Sequence, residues 1–397
     1  MGVNNIIKYH WKFLSLLIIL LSITNGFGCK YTVRDIGFTD LGRVEYSLYF
    51  FADRQTPADM VSSFEKLAYA AFLDANVKAR VINIEEQKDH PAAKYLKELN
   101  INSFPAVILV SPDGDALNLN FSGMDKNFNE KLWHLIESTV SSPMRKKITA
   151  VIKDNYGAVL FVEGKDKEKN KQAKRVIKAA VKDIAQIMEL MPKPIENPPQ
   201  VIDFFKNDFA KETVLIWSLK LDAQFNEPQL VVLFGRGRRI GQVLKGAEIT
   251  KENLFSMLAI VGADCECGLD RSIMLGKMIP LRWDKEIQAQ MARQLEFDVE
   301  NPMIKSEMSQ ILSIAPAQKG KNTQNPLSVY KEGIVKFDSI PTTPTVSSNT
   351  FRAPGGFGKD VQEHSIFHIV LYSVAGIFLI VLFAGYFIFR RNRNKRL

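Results

Sequence analysis

Residues 101–114, INSFPAVILVSPDG, admit few folds. Pro105 has no N–H to give a sheet, so it suits the first position of a strand, and the uninterrupted apolar run after it suits a strand covered on both faces. Asp113-Gly114 then supplies a tight hairpin turn. Residues 119–121 complete the hairpin, and residues 127–140 follow as a helix with Phe128, Leu132, Leu135 and Ile136 on one side.

The residues upstream complete a unit. Residues 46–52 are mainly apolar and aromatic, as in a central strand; residues 60–73 carry Met60, Phe64, Leu67, Ala68, Ala71 and Phe72 at helical spacing. Residues 77–84 form the next strand, and a helix starting at Asp89-His90-Pro91 runs to about residue 99. Residues 30–43 read as a polar lead-in. The order βαβαββα predicts a mixed four-stranded sheet flanked by helices.

The second half repeats the plan. A strand at 158–162 leads to a long helix over 167–190, which Pro192, Pro194, Pro198 and Pro199 stop. A short helix at 201–209 and a strand at 213–219 are expected next. Pro228 then opens a strand at 229–234, GRGRR turns it, residues 240–244 pair back, and a helix over 251–260 closes the unit. The succession proline, apolar strand, turn, polar strand, glycine and capped helix is common to both halves.

Residues 48–60, LYFFADRQTPADM, resemble the segment that carries WCGPC in thioredoxins. Laid over it, the two catalytic cysteines fall on Gln55 and Ala58, with Thr56-Pro57 in place of Gly-Pro. Pro105 and Pro228 resemble the cis-proline of that family. The resemblance implies an α/β protein with two tandem thioredoxin-like domains, degenerate at the CxxC position. It also implies docking of extended peptides beside the proline, with Phe104, Arg54, Gln55 and Thr56 lining the groove. No cofactor is implied.

A chain of 397 residues with 46% hydrophobic content has room for two cores and additional segments. Residues 1–28 read as a signal peptide: Lys8 and Lys12, an apolar run over 13–23, and Gly26-Phe27-Gly28 before Cys29. Cys29 is a candidate lipidation site, and an uncleaved anchor is the third option. Residues 366–389 are an uncharged apolar run of about 24 residues, long enough to cross a bilayer, and the basic RRNRNKRL after it is expected in the cytoplasm. The expected boundaries are therefore domain 1 at 30–147, domain 2 at 148–264, a CxC segment and helical extension at 265–314, a Pro/Ser/Thr/Gly stalk at 315–363, the transmembrane helix and a tail at 390–397. This layout predicts a single-pass protein with its body outside the cytosol, facing the periplasm from a bacterial inner membrane.

The formal charge of +9 points away from nucleic acid once located, since much of it sits in the tail and along one helix. Three cysteines do not make a disulfide scaffold. Cys265 and Cys267 form a Cys-x-Cys pair that would suit a local disulfide, thiol–disulfide exchange or a soft metal. The acidic neighbours Asp264, Glu266 and Asp270 argue against an activated thiolate. Gly235, Gly237 and Gly241 lie between two strands, so they read as a turn with Arg236, Arg238 and Arg239 exposed, not as a dinucleotide loop. His90 and His134 are isolated, and Asn120-Phe121-Ser122 is a glycosylation sequon. The function expected is a non-enzymatic protein- or peptide-binding, scaffolding or chaperone-like module. Thiol exchange or soft-metal handling at Cys265 and Cys267 is the alternative.

Overall fold

Strand β1 (Tyr46–Ala52) is the centre of the first domain, with β2 (Val77–Asn83) parallel on one side and β3 (Ala106–Val110) antiparallel on the other. Strand β4 (Ala116–Leu119) follows β3 at the far edge, giving the order β2-β1-β3-β4. The computed structural model describes residues 30–42, 44–121, 127–264 and 276–314. The expected signal peptide, stalk, transmembrane helix and tail lie outside the described residues, as do Cys29, Cys265 and Cys267.

Because side chains alternate along a strand, β1 feeds two cores. Leu48 and Phe50 pack with Met60 and Phe64, and with Leu132 and Ile136, so the helices at Ala58–Phe72 and Phe128–Val140 cover that face. Phe51 points to the other face with Tyr95 of the short helix Ala93–Glu98 and with Ile108. Phe50 stacks on Phe64 with ring centroids 4.7 Å apart.

The second domain repeats this arrangement around β5 (Ala158–Val162): β6 (Gln200–Phe204) is parallel to it, β7 (Gln229–Phe234) antiparallel, and β8 (Arg238–Lys245) pairs with β7. Its order, β6-β5-β7-β8, is that of the first sheet. The chain thus holds two tandem thioredoxin-like domains, each a mixed sheet between helices.

In chain order, the helices are α1 (Val33–Phe38), α2 (Ala58–Phe72), α3 (Ala93–Glu98), α4 (Phe128–Val140), α5 (Pro143–Asp154), α6 (Lys167–Ile187), α7 (Thr213–Leu219), α8 (Lys251–Val261), α9 (Lys285–Leu295) and α10 (Pro302–Ile314). Helices α6 and α8 cover one face of the second sheet, and α5 and α7 the other.

Three readings of the sequence are corrected. Residues 200–204 are strand β6, a 3₁₀ turn spans Lys206–Lys211, and residues 213–219 are helix α7. The short apolar run TVLIWSL fits either element by periodicity; it buries Val214, Leu215, Ser218 and Leu219, a helical pattern, because the sheet takes its second strand from 200–204.

The polar lead-in is a buried helix. Thr32 caps α1 in a reciprocal capping box with Asp35, and every residue from Val33 to Phe38 is buried. Tyr31, Val33 and Ile36 belong to the core between the second sheet and α6 and α8, and Phe38 to the core on the opposite face. The segment therefore packs in domain 2, although it precedes domain 1 in the chain.

The third correction concerns the arginines of the β7–β8 turn. Arg236 and Arg238 are buried and Arg239 is partly so. Arg238 donates to the carbonyls of Gly37 and Thr39 (3.1 and 2.9 Å) and of Gly276 (3.3 Å), closing the end of α1; Arg236 pairs with Glu300 at 2.7 Å.

Residues 276–284 run between the domains. The Asn76 side chain donates to the Ile279 carbonyl (3.0 Å) and accepts from the Leu281 N–H (2.8 Å), while Trp283 N–H donates to the Asp74 carbonyl (2.7 Å). Helices α9 and α10 then place Met291 and Leu295, and Met308 and Leu312, in the two cores of domain 2.

Two ion pairs, Asp115 with Lys220 and Asp113 with Lys277, tie the β3–β4 turn to domain 2 and to the connecting segment 276–284. The Lys220 ammonium holds the Asp115 carboxyl below the ordinary carboxylate range. A depressed folded-state value means that the pair's contribution is present at neutral pH and disappears as pH falls through that value. Both partners are partly solvated, so the effect is small. Asp115→Asn is expected to flatten the acid limb of the stability curve, as measured by urea midpoints from neutral pH down to about pH 2. An unchanged acid limb would show that the pair contributes nothing.

Candidate functional site: the loop beside the cis proline

Register decides what meets at the end of the first sheet. Phe51 of β1 pairs with Ala106 of β3, so the loop after β1 and residues 104–105 before β3 share one edge. The Phe104–Pro105 peptide is cis.

The loop is closed from within. The Asp53 carboxylate accepts from the Gln55 and Thr56 N–H groups (3.1 and 2.9 Å) and from the Thr56 hydroxyl (2.7 Å), which in turn accepts from the Asp53 N–H (3.1 Å). This turn delivers the chain to Pro57, which precedes the first residue of α2, where a missing N–H costs nothing. The Thr56 hydroxyl is engaged as both donor and acceptor. Arg54 pairs with Glu85, so the loop is also tied to the residues after β2.

Gln55, Pro57 and Ala58 are exposed, as are Arg54, Asn102 and Ser103; Thr56, Phe104 and Pro105 are half-buried. The positions over which thioredoxin thiols were laid thus lie at the surface next to the proline, carrying an amide and a methyl group. The arrangement supplies exposed backbone, an amide side chain, a guanidinium and part of a phenyl ring. None of these groups carries sulfur.

The second domain treats the same place differently. Val162 pairs with Gln229, which brings the loop after β5 against residues 226–228. Lys165 N–H donates to the Asn226 carbonyl (2.6 Å), and a Cβ on Gly164 would sit 2.4 Å from the Asn226 oxygen and 2.7 Å from the Pro228 nitrogen. Asn170 holds the Gly164 N–H and carbonyl (2.8 and 2.9 Å), and Lys169 pairs with Glu227. Here residues 164–165 and 226–228 meet backbone to backbone. The Glu227–Pro228 peptide is not cis, so the likeness of Pro228 to Pro105 stops at its place in the sequence.

His90 accepts the Ala92 N–H at Nδ1 (3.1 Å) ahead of α3, and His134 is exposed on α4, 3.9 Å from Glu130. Among the described residues no cluster of His, Cys, Asp and Glu could hold a metal ion, and no helix is long and apolar enough to cross a membrane. Sequence reasoning missed the Asp53–Thr56 lock, whose signal is an Asp and a Thr three residues apart ahead of Pro57. It also missed Tyr69 and Leu73, 75% and 64% exposed, which lie one turn apart on α2 beside edge strand β2.

No family model and no curated protein matches the chain. Among solved structures it is similar to the first two thioredoxin domains of Saccharomyces cerevisiae Eps1p, at 11% identity and a TM-score of 0.20, over 55% of this chain and 92% of that one. The zinc-bound form of human ERp44 matches at 12% identity and 0.21, covering 58% of this chain and 60% of that one. The bb fragment of ERp72 matches at 13% identity and 0.21, covering 56% of this chain and 90% of that one. The fold is read from the strand order and register of the two sheets, not from these matches.

Proposed function

We propose that the chain is a membrane-anchored, extracytoplasmic, redox-inactive thioredoxin-fold protein whose first domain binds extended polypeptide at the Pro105 edge. The observation that carries this reading is the contrast between the two domains: the edge is exposed at Gln55 and Ala58, and backbone meets backbone at Gly164. An open edge offers unpaired main-chain groups for strand addition, and Phe104 offers an apolar contact next to it. The exposed pair Tyr69 and Leu73 beside β2 adds an apolar surface of the kind that marks protein contact. The anchoring part of the reading rests on the apolar run at 366–389 and the basic tail.

The test places a photocrosslinking amino acid at Gln55 or at Lys165 in the full chain, within intact membranes. Polypeptide adducts are expected from position 55 and not from position 165; equal labelling, or none at 55, defeats the proposal. Purified full-length protein is expected to leave insulin disulfides intact, because Gln55 and Ala58 carry no sulfur.

A second reading, thiol–disulfide exchange or soft-metal handling at Cys265 and Cys267, rests on the Cys-x-Cys spacing. Thiol titration under oxidising and reducing conditions, with metal analysis of the purified chain, decides it: two inert thiols and no copurifying metal remove it.

A further inference from the structure

Helix α6 carries a row of cations that the fold does not use. Lys167, Lys171, Arg175, Lys178 and Lys182 are all exposed, and none has an ion-pair or hydrogen-bond partner among the described residues. Their spacings of four, four, three and four residues place them within about 80° of the helix circumference at 3.6 residues per turn. No acidic side chain falls inside that arc between Lys167 and Lys182.

The charge is confined to a line. On one side of the row Lys174 is neutralised by Glu163 (2.7 Å) and Asp203 (3.1 Å); elsewhere around α6, Lys169 pairs with Glu227 and Asp183 with Lys251. The unpaired cations alone span about 22 Å, at intervals of roughly 4.5 to 6 Å along the axis. Five like charges on one helix face repel one another and stabilise nothing in the isolated protein. A linear anion would relieve that repulsion, whereas a flat anionic surface would spend most of its contact area on neutral pairs.

What lies next to the row selects among linear anions. The Lys174–Asp203 pair joins this side of α6 to β6, which is an edge strand bonded only to β5. Its outer backbone groups are available for a further strand, and its own Val201 and the adjoining Phe205 are 38% and 48% exposed. Alternate residues of an extended chain lie about 6.4 to 6.8 Å apart, close to the interval of the cations, and their long side chains absorb the difference. A phosphate polymer matches the charge but has no use for a strand edge or for apolar side chains. The chain's own residues 315–363 contain no run of alternating acids.

We propose that the α6 row, with strand β6 beside it, is a docking surface for an extended acidic segment of a partner polypeptide, one with Asp or Glu at alternate positions. This surface lies in the second domain and does not depend on the Pro105 edge.

The test uses the full-length protein in detergent and a fluorescent peptide of alternating Glu and Thr, about 12 residues long, long enough to cover the row as an extended strand. Binding is expected, with affinity falling about tenfold or more as salt rises from about 50 to about 300 mM, because exposed charges are screened over that range. Lys171→Glu with Arg175→Glu is expected to abolish it. Lys146→Glu with Lys147→Glu, the same change in net charge on exposed positions of α5, is expected to leave it intact. Circular dichroism and thermal melting of both variants check that the fold survives. Equal loss in the two variants, or no binding by the unaltered chain, overturns the proposal. So does tighter, row-dependent binding of oligothymidylate or of vesicles made from phosphatidylcholine and phosphatidylglycerol.

Discussion

Arg145→Ala is expected to lower the stability of the chain by about 4 kcal/mol and to loosen the junction between its domains. The guanidinium is almost fully buried, and it donates to four carbonyls: Ser138, Thr139 and Ser141 at the end of α4, and Pro280 in the connecting segment 276–284. The distances to Thr139, Pro280 and Ser141 are 2.6, 2.9 and 3.0 Å. Three sections of chain from two domains therefore meet on one planar group whose donors are arranged in a fixed fork. Burial lowers its pKa to about 10, so it stays charged at neutral pH.

Removing the guanidinium orphans those carbonyls. It also withdraws a cation that interacts with Glu212, a buried carboxylate that accepts from the Ser142 hydroxyl (2.5 Å) and the Met144 N–H (2.8 Å) at the start of α5. An ammonium cannot reach four carbonyls in one plane, so Arg145→Lys should recover less than half of the loss. Urea midpoints give the magnitude, and limited proteolysis should find the first new cleavage in residues 276–284. A loss below about 1 kcal/mol would mean that water replaces the guanidinium without penalty, and that the junction is held by other contacts.

Gly235→Ala is expected to be still more damaging, at about 5 kcal/mol, because it combines backbone strain with a collision that cannot relax. Gly235 sits at φ +54°, and its Cβ would lie 2.2 Å from the carbonyl carbon of Gly37 and 2.4 Å from its oxygen. Both are main-chain atoms of α1, so no rotamer change makes room. The helix would have to move, taking Tyr31, Val33, Ile36 and Phe38 out of the two cores of domain 2. Fully burying each such side chain contributes about 1.5 to 3 kcal/mol, so a partial displacement accounts for the expected loss.

Gly42→Ala is the matched control. It has φ +68° but no atom within 4 Å of its Cβ, and should show the conformational cost alone, about 1 kcal/mol. If the two variants melt together, the close approach of Gly37 and Gly235 is not what holds α1.

Much of the architecture can be traced to local patterns. Residues 106–110 had to be a covered strand, because five consecutive apolar residues after a proline and before Pro-Asp-Gly leave little else. The 167–190 segment had to be a helix, because its apolar positions recur every three or four residues up to a cluster of prolines. Residues 213–219 show the limit: seven residues rich in apolar side chains satisfy a strand or a helix equally, and the competition for the place beside β5 settled the matter. Arg236 and Arg238 show it in another way. A turn of glycines and arginines between strands reads as solvated, yet these side chains are buried because the carbonyls at the end of α1, together with Glu300, lie over the turn and need donors.

The candidate site divides along the same line. That positions 55 and 58 carry no sulfur, and that a proline stands before each apolar strand, is plain from residue order alone. How the two edges differ was decided in three dimensions, where Gly164 lets backbone approach residues 226–228 while the Asp53–Thr56 turn closes on itself. The five-residue row on α6 was legible as helical spacing, but which cations of the helix are taken up was decided in the fold, where Lys174 meets Glu163 and Asp203 and Lys169 meets Glu227. Local order determined most of the strands and most of the helices, because these depend on neighbours within a few residues, and residue identity alone fixed the missing thiols. Tertiary structure alone decided that residues 30–42 complete the second domain, because burial of a short helix depends on a surface more than a hundred residues away.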